Sequence, residues 1–246
     1  MAETSKKPMP IAVLISGTGR TLNNIIDLLK QGSLNIEVKV VIASTPAARG
    51  LQFAEKNSIP IDVVERSAYS TRTEFSEALF QRCRESGAEL VIMAGFIKMV
   101  EVPDDFVNRV INIHPALIPS FCGKGFYGHH VHEAALEYGV KLSGCTVHFV
   151  DNQLDHGPVI LQMAVPVLED DTPDTLNDRV FEAEKVAYPK AIQLLAEKRV
   201  VVEGRKVRIL PGNDDPLPSP SIISAPPEAT APSEDTEADH SNPDNW

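Results

Sequence analysis

The 246-residue sequence predicts an α/β fold, in which a wound, mostly parallel, Rossmann-like sheet is flanked by helices. Short apolar runs alternate with helix-period segments from residue 11 to about residue 210. The early runs are apolar on both faces, which is typical of parallel strands covered by helices. In addition, the first run leads directly into a glycine-rich turn and then into a helix. Together these observations predict one wound α/β domain over 11–210.

The elements of this domain can be assigned in chain order. Strands are predicted over 11–16, 36–43, 61–65, 89–94 and 109–113, and helices over 21–31, 47–57, 71–86 and 101–108. A Gly- and His-rich loop then interrupts this alternation of strands and helices. Beyond it we predict a helix near 130–138, strands over 145–150 and 158–167, a helix over about 173–198, and a terminal strand pair, 199–204 and 206–210. The domain therefore has a glycine-loop half, 11–108, and a catalytic half, 109–210.

The two ends of the chain differ from this domain. Residues 1–10 are expected to be flexible. Residues 211–246 hold eight of the 19 prolines and eight acids without any Lys or Arg, a composition that predicts a disordered tail. The net charge of the whole chain is −11 and residues 211–246 contribute −8, so the net charge of residues 1–210 is only −3.

The composition also excludes several partners and compartments. A nearly neutral body gains little from counterion release, so we expect no nucleic-acid partner. No apolar run approaches the roughly 18 residues that a membrane span needs, and the N-terminus lacks the features of a signal peptide. Three cysteines without C-x-x-C spacing argue against disulfides and a thiolate zinc site. We therefore expect a cytoplasmic protein with no membrane partner.

The first candidate site is the turn "GTGRT", which joins the first strand to the first helix. Glycines such as Gly17 and Gly19 let the backbone approach a ligand, and the exposed N–H groups of a helix N-terminus favour an anion. A dinucleotide site would need a glycine where Leu22 stands, and the spacing of a P-loop is missing. The turn thus favours a simple phosphate ester, although an ordinary tight βα turn remains an alternative.

The second candidate site lies in "VINIHPALIP", where a buried strand ends in polar residues. Strand periodicity places Asn112 and His114 on one face at the carboxyl end, and Pro115 stops the strand. A lone histidine there is more often a core residue, but its pairing with an amide favours function. Asp155 in "LDHGP" is the best-placed carboxylate to orient His114. Amide, imidazole and carboxylate together indicate acyl transfer through a tetrahedral intermediate.

A metal site is a weaker interpretation of the histidines. Six of the seven fall between 114 and 156. However, His130 and His132 are two apart in a predicted helix, where residues that share a face are three or four apart. We therefore predict no metal.

With both sites located, the sequence resembles the phosphoribosylglycinamide formyltransferase family of folate-dependent formyltransferases over roughly residues 11–210. The resemblance rests on "LISGTGRTL", "VIMAGFIKMV", "INIHPALIP", "GCTVHFVDNQLDHGPVILQ" and "EKVAYP". It implies a formyltransferase fold and transfer of the formyl group of 10-formyltetrahydrofolate, a co-substrate, to the amine of glycinamide ribonucleotide in de novo purine (IMP) biosynthesis. By this resemblance His114 is the general acid, Asp155 favours its protonated form, and Asn112 stabilises the oxyanion.

The resemblance also implies two sets of binding residues. Those expected at the ribonucleotide are Gly17, Gly19, Arg20, Thr21 and Glu184, with Glu184 on the sugar. Those expected at the formyl-folate are Arg72, Ile97, Lys98, Met99, Val100 and Asn112. Met99 and Val100 could equally be core residues.

This chain departs from the usual pattern of the family at three places. Arg20-Thr21 replace the usual Ser-Asn, and Lys98 stands where arginine is common. The loop "FCGKGFYGHHVH" is longer than usual, and Lys124 within it is a candidate to cover the phosphate.

Three rival functions share some of these features. A methionyl-tRNA formyltransferase would need a C-terminal RNA-binding domain, and a formyltetrahydrofolate hydrolase would need an N-terminal regulatory domain. A non-catalytic module that binds a phosphate ligand would explain the glycine turn but not the polar set at Asn112. The sequence leaves open whether the protein is a monomer or a homodimer.

Overall fold

A computed structural model describes residues 7–212 and 221–222 of the chain, and within them ten strands and five α-helices follow one another. The strands are β1 (Met9–Ile15), β2 (Ile36–Ala43), β3 (Ile61–Val63), β4 (Leu90–Met93), β5 (Val110–His114), β6 (Leu142–Phe149), β7 (Val159–Pro166), β8 (Val200–Glu203), β9 (Lys206–Ile209) and β10 (Ser221–Ile222). The helices are α1 (Arg20–Lys30), α2 (Leu51–Lys56), α3 (Arg72–Ser86), α4 (His129–Tyr138) and α5 (Pro173–Ala196).

Eight of these strands form one sheet in the order β10-β7-β6-β5-β4-β1-β2-β3. The strands β3, β2, β1, β4 and β5 are parallel to one another, whereas β6 is antiparallel to both β5 and β7. The strand order therefore reverses direction between β1 and β4, which is where open α/β sheets bind ligands beyond their carboxyl ends. Strands β8 and β9 form a separate antiparallel hairpin.

The core lies on both faces of the sheet, as alternation along β1 shows. Ile11 and Val13 pack in a cluster with side chains of α1 and α5, whereas Ala12 and Leu14 pack in a second cluster with side chains of α3. All four residues are fully buried. This explains why the sequence of the strand is apolar without alternation.

Helix α5 is fixed both at its start and against the sheet. Thr172 caps it through a hydrogen bond from the Thr175 N–H to the Thr172 hydroxyl, and Pro173 occupies the first turn. The buried Tyr188 hydroxyl lies 3.0 Å from the carbonyl oxygens of Met93 and of Ile111. One side chain thus ties the helix to the last residue of β4 and to the second residue of β5.

The predicted α/β class with a mostly parallel sheet is confirmed, but two predicted helices differ. The helix predicted over 101–108 is wrong: only a 3₁₀ turn, Asp104–Phe106, forms there. Pro103 disfavours helix in the residue before it, and Asn108 has a φ of +56°, which ends the turn. The helix predicted over 47–57 begins only at Leu51, because residues 44–50 form turns.

The ends of the chain also differ from expectation. Met9 and Pro10, predicted to be flexible, belong to β1, whose first N–H donates to the Asn35 carbonyl at 3.1 Å. Residues 1–6 lie outside the described residues, as does most of the tail predicted to be disordered. Within that tail, Ser221 and Ile222 pair with β7 as a two-residue strand. None of the helices in the described ranges is long and apolar enough to span a bilayer.

Candidate active site

The glycine turn closes tightly against a neighbouring loop. Gly19 precedes α1 with a φ of +74°, and a Cβ atom there would lie 2.5 Å from the Gly50 Cα. The Gly50 N–H donates to the Gly17 carbonyl at 3.0 Å, which holds the two loops together. A side chain at position 19 would collide with backbone, so glycine is required there on both conformational and steric grounds. Arg20 and Thr21, in the first turn of α1, line a cavity next to this glycine turn.

A serine joins this turn to the segment that follows β4. The Ser16 hydroxyl accepts the Ile97 N–H at 3.1 Å and the Ser44 hydroxyl at 2.7 Å, and the Ser16 N–H donates to the Gly95 carbonyl at 3.1 Å. Because β1 and β4 are neighbours in the sheet, these bonds fix the loops on either side of the switch point in one arrangement.

Between these loops lies a cavity of about 700 Å³ at the carboxyl edge of the sheet. Its volume is in the usual range for small-molecule sites. Sequence-predicted residues that line it are Gly17, Gly19, Arg20, Thr21, Ile97, Lys98, Met99, Val100, Asn112, Asp155 and Glu184. The structure therefore brings together residues from both halves of the domain.

Asn112 lines the cavity beside a histidine from the next strand. His148 on β6 is the cross-strand partner of Asn112 on β5, and both side chains line the cavity. The His148 Nδ1 donates to the Phe149 carbonyl at 2.8 Å, and its Nε2 has no hydrogen-bond partner among the described residues. Burial lowers the pKa of His148, so the ring is neutral near pH 7. A polar pair thus faces the cavity without a fixed positive charge.

His114 and Asp155 are brought close together, but His114 is covered. The His114 Nδ1 lies 3.7 Å from the Asp155 Oδ2, and the two side chains are 5% and 8% exposed. On the other side of the ring, Nε2 donates to the Phe121 carbonyl at 2.8 Å. His114 is not among the residues that line the cavity. Of the predicted pair, Asn112 lines the cavity, whereas the Phe121 carbonyl occupies the His114 Nε2.

The loop that covers His114 is also bound to Asp155. The Gly123 N–H donates to the Asp155 Oδ2 at 2.9 Å. Both Phe121, with a φ of +47°, and Asp155, with a φ of +50°, adopt a backbone conformation that is uncommon for residues with a side chain. Such conformations persist when the surroundings enforce them, and they concentrate at functional sites.

At the other end of the cavity, an acid on α5 faces the glycine turn. Burial raises the pKa of Glu184 to about 7, and the positive charge of Arg20 opposes this shift. The Arg20 guanidinium lies 4.0 Å from the centre of the Phe181 ring, a cation–π contact, and 3.7 Å from an Asp178 carboxylate oxygen. Arg20 is thus held beside the first turn of α1, where an anion would bind.

The residues that match known proteins cover this whole site. The family described as formyl transferase matches residues 9–192, three quarters of the chain, from β1 through most of α5. The chain belongs to the formyl transferase family. This assignment agrees with the resemblance seen in the sequence motifs.

Two relatives illustrate the similarity. The trifunctional purine biosynthetic protein adenosine-3 of Gallus gallus is 41% identical over 194 residues, which are 78% of this chain and 19% of that protein. The chloroplastic phosphoribosylglycinamide formyltransferase of Vigna unguiculata is 33% identical over 217 residues, 87% of this chain and 70% of that protein. The chain thus spans about a fifth of the trifunctional relative's length.

A solved structure is similar over nearly its full length. The crystal structure of glycinamide ribonucleotide transformylase 1 from Symbiobacterium toebii has a TM-score of 0.79 and 44% identity, covering 83% of this chain and 95% of that chain. The formyltransferase fold expected from the sequence is therefore confirmed.

Two predicted binding residues, Arg72 and Lys124, do not line the cavity. Arg72, expected at the formyl-folate, donates from Nε to the Glu101 Oε1 at 2.8 Å. Glu101 directly follows the cavity-lining Val100, so Arg72 is one residue layer away from the site. Lys124 is likewise absent from the lining, whereas its neighbours Gly123 and Gly125 belong to it.

Two other histidines have acidic partners at the surface. The His129 Nε2 lies 2.7 Å from an Asp174 oxygen, and the His130 Nδ1 lies 3.0 Å from a Glu133 oxygen. Within residues 7–212, no group of three or more His, Cys, Asp or Glu side chains is arranged to hold a metal ion.

Sequence reasoning missed several residues at the site. His132, His148, Asn177 and Phe181 line the cavity, and none was singled out as a ligand-binding residue. A signal was available for two of them, because Asn177, Phe181 and Glu184 follow helical spacing and so share one face of α5. The Phe121 carbonyl is a main-chain group, and no residue pattern would have indicated it.

Proposed function

We propose that this protein transfers the formyl group of 10-formyltetrahydrofolate to the amine of 5-phosphoribosylglycinamide, giving formylglycinamide ribonucleotide and tetrahydrofolate in purine biosynthesis. The observation that carries the proposal is the convergence of Asn112 and Asp155 on one cavity whose other wall is the glycine turn of α1. The names of the relatives support the same reaction.

In this reaction the amine nitrogen of the ribonucleotide attacks the formyl carbon. A carbon–nitrogen bond forms, and the carbonyl oxygen becomes an oxyanion in a tetrahedral intermediate. The bond from that carbon to N10 of the folate then breaks, N10 takes up a proton, and the amine loses one. No covalent enzyme intermediate is needed, so the protein must supply an oxyanion donor and a proton donor.

The polar residues at the end of β5 fit these two tasks. Asn112 has an amide that can donate to the oxyanion. In our proposal His114 donates the proton to N10, and Asp155, 3.7 Å from its Nδ1, orients the ring. Since Nε2 now donates to the Phe121 carbonyl, that carbonyl must move before this nitrogen meets the substrate. The strained backbone of Phe121 fits a loop that is released when substrate binds.

The cavity offers separate regions for the two substrates. N–H groups at the start of α1, with Arg20 and Thr21, would hold the phosphate, and Glu184 would accept hydrogen bonds from the ribose. On the other side of Asn112, Ile97 and Met99 are 66% and 48% exposed, which suits them to cover the flat rings of the folate. Lys98 is a cation that lines the cavity near this end, and Arg72 lies behind it in a pair with Glu101.

The nature of the partners follows from the same reasoning. We propose that both substrates are small molecules, that no metal takes part, and that the protein acts in the cytoplasm as a monomer or a homodimer. The net charge of −3 on residues 1–210 supports the absence of a nucleic-acid partner.

A direct assay tests the proposal. The purified protein is incubated with 10-formyltetrahydrofolate, with and without glycinamide ribonucleotide, and the folate product and the formylated ribonucleotide are both quantified. We expect equal amounts of the two products and no turnover without the ribonucleotide. Tetrahydrofolate formed equally fast in its absence would identify a hydrolase instead. Binding of the ribonucleotide without any turnover would identify a non-catalytic binding module.

A further inference from the structure

A buried histidine outside the catalytic set lines the cavity and has one ring nitrogen without a hydrogen-bond partner among the described residues. His132 lies on α4 and is 1% exposed, and its side chain lines the cavity. Its Nδ1 has no hydrogen-bond partner among the described residues. A buried polar atom without a partner costs the full free energy of its desolvation, so such groups are rare unless a ligand or a water supplies the bond.

The surroundings of His132 indicate which ligand could supply the missing hydrogen bond to Nδ1. The cavity-lining residues of α5, Asn177, Phe181 and Glu184, lie on the same face of that helix, and α4 packs against α5. Arg20 reaches this wall from α1 through its contact with the Phe181 ring. His132 is therefore part of the cavity end formed by the glycine turn and α5, rather than of the end formed by residues 97–100.

The charge state of His132 suits hydrogen bonding rather than charge pairing. Burial lowers the pKa of His132 to about 4, electrostatic interactions with His129, His114 and Arg20 lower it further, and a side-chain hydrogen bond with Asn177 opposes this shift. The ring is therefore neutral near pH 7, and one of its nitrogens carries a proton while the other does not. A neutral imidazole can still donate one directional hydrogen bond to an oxygen of a ligand.

We propose that His132 is a binding residue for the ribonucleotide, whose phosphate–ribose end accepts a hydrogen bond from the His132 Nδ1. This inference rests on the proposed function, because it assigns a further contact in the same substrate site. The contact is orienting: it fixes the sugar-phosphate between the first turn of α1 and the Glu184 face of α5. His132 takes no part in proton transfer.

Three variants test this role. His132→Leu removes both ring nitrogens, whereas His132→Asn keeps a polar atom near the position of Nδ1, and His132→Gln keeps one near the position of Nε2. His130→Leu is the matched control, because His130 is on the same helix but its side chain is 58% exposed and paired with Glu133. Affinity for glycinamide ribonucleotide, and separately for ribose 5-phosphate, is measured by titration calorimetry on the full chain.

We expect His132→Leu to weaken binding of both ligands about tenfold, or about 1.4 kcal/mol. His132→Asn should bind within about threefold of the unmodified protein, because an amide can replace the bond from Nδ1. His130→Leu should bind normally. The dissociation constant for 10-formyltetrahydrofolate should be unchanged in every variant, which a general loss of structure would not produce.

The other outcomes separate the possible failures. If the unmodified protein binds no ribonucleotide, the proposed function itself fails. If it binds and His132→Leu binds equally well, only the role of His132 is overturned, and its Nδ1 serves a structural water. A loss confined to glycinamide ribonucleotide would place the contact at the glycinamide end and overturn the assignment to the phosphate–ribose end. Should His132→Leu not fold, His132→Asn must still bind more tightly than His132→Gln for the proposal to stand.

Discussion

Replacing Glu184 by glutamine should make this protein more stable at high pH. The Glu184 carboxyl lies in the cavity wall on α5, where burial raises its pKa from the ordinary 4.5 to about 7. Glutamine has nearly the same shape and carries no charge, so Glu184→Gln removes the cost of holding a desolvated carboxylate. The positive charge of Arg20 offsets only part of that cost.

The magnitude follows from the difference between the folded and unfolded pKa values. A difference of about 2.5 corresponds to about 3 kcal/mol at 1.36 kcal/mol per pKa unit, which is an upper value. Because the pKa is raised in the folded state, the folded protein binds the proton more tightly than the unfolded chain. Stability therefore falls as the pH rises from about 4.5 to about 7. The advantage of Glu184→Gln should be small near pH 5 and complete near pH 8.

Urea unfolding at several pH values between about 5 and 8 measures this advantage. The matched control is Glu182→Gln on the same helix, since Glu182 is exposed and paired with Lys185. The control should show no gain that grows with pH. An advantage of Glu184→Gln that is equal at all pH values, or a destabilisation near pH 8, would refute the reasoning. We also expect Glu184→Gln to bind the ribonucleotide more weakly. The substitution removes the carboxylate that we propose accepts hydrogen bonds from the ribose, a function that would explain why a destabilising charge is kept there.

Three further predictions concern the site and its support. His114→Ala should lower kcat roughly 10²–10⁴-fold, as expected for a general acid, and a loss below about tenfold in steady-state assays would exclude that role. Gly19→Ala should cost about 1–3 kcal/mol in urea unfolding, because position 19 has a positive φ and touches Gly50, whereas Gly17→Ala, whose Cβ meets nothing within 4 Å, should be nearly neutral. Tyr188→Phe should cost about 1–3 kcal/mol by the same measurement, since the two buried carbonyl oxygens lose the one hydroxyl proton that they share; an unchanged midpoint would mean that another donor replaces it.

The covered state of His114 changes how the catalytic half of the domain is understood. Asp155 holds the Gly123 N–H and lies near the His114 ring, while the Phe121 carbonyl occupies the other ring nitrogen. The same loop therefore shields His114, the proposed proton donor, and contacts Asp155, which we propose orients it. A displacement of this loop would release the His114 Nε2 and the Asp155 Oδ2 together.

Most of the fold could be predicted because its signals are local. The strand periods around residues 11–15 and 110–114 and the glycines after β1 depend on neighbours only a few residues away. The exception is informative: 101–108 has an apolar and acidic composition that suits a helix, yet Pro103 and Asn108 restrict the backbone to one 3₁₀ turn. Local restrictions of φ outweighed composition there.

The amino-acid pattern alone was enough to indicate a wound parallel sheet, an anion site after β1 and a polar set at Asn112, since each depends on short-range periodicity or on the chemistry of one residue type. Only tertiary packing decided which histidines face the cavity, that Arg72 pairs with Glu101, and that the Phe121 carbonyl covers His114. These outcomes depend on contacts between segments far apart in the chain, and on the loss of water around each side chain. The burial of a side chain and the identity of its hydrogen-bond partner depend on residues distant in the sequence, so a short stretch of sequence does not determine them.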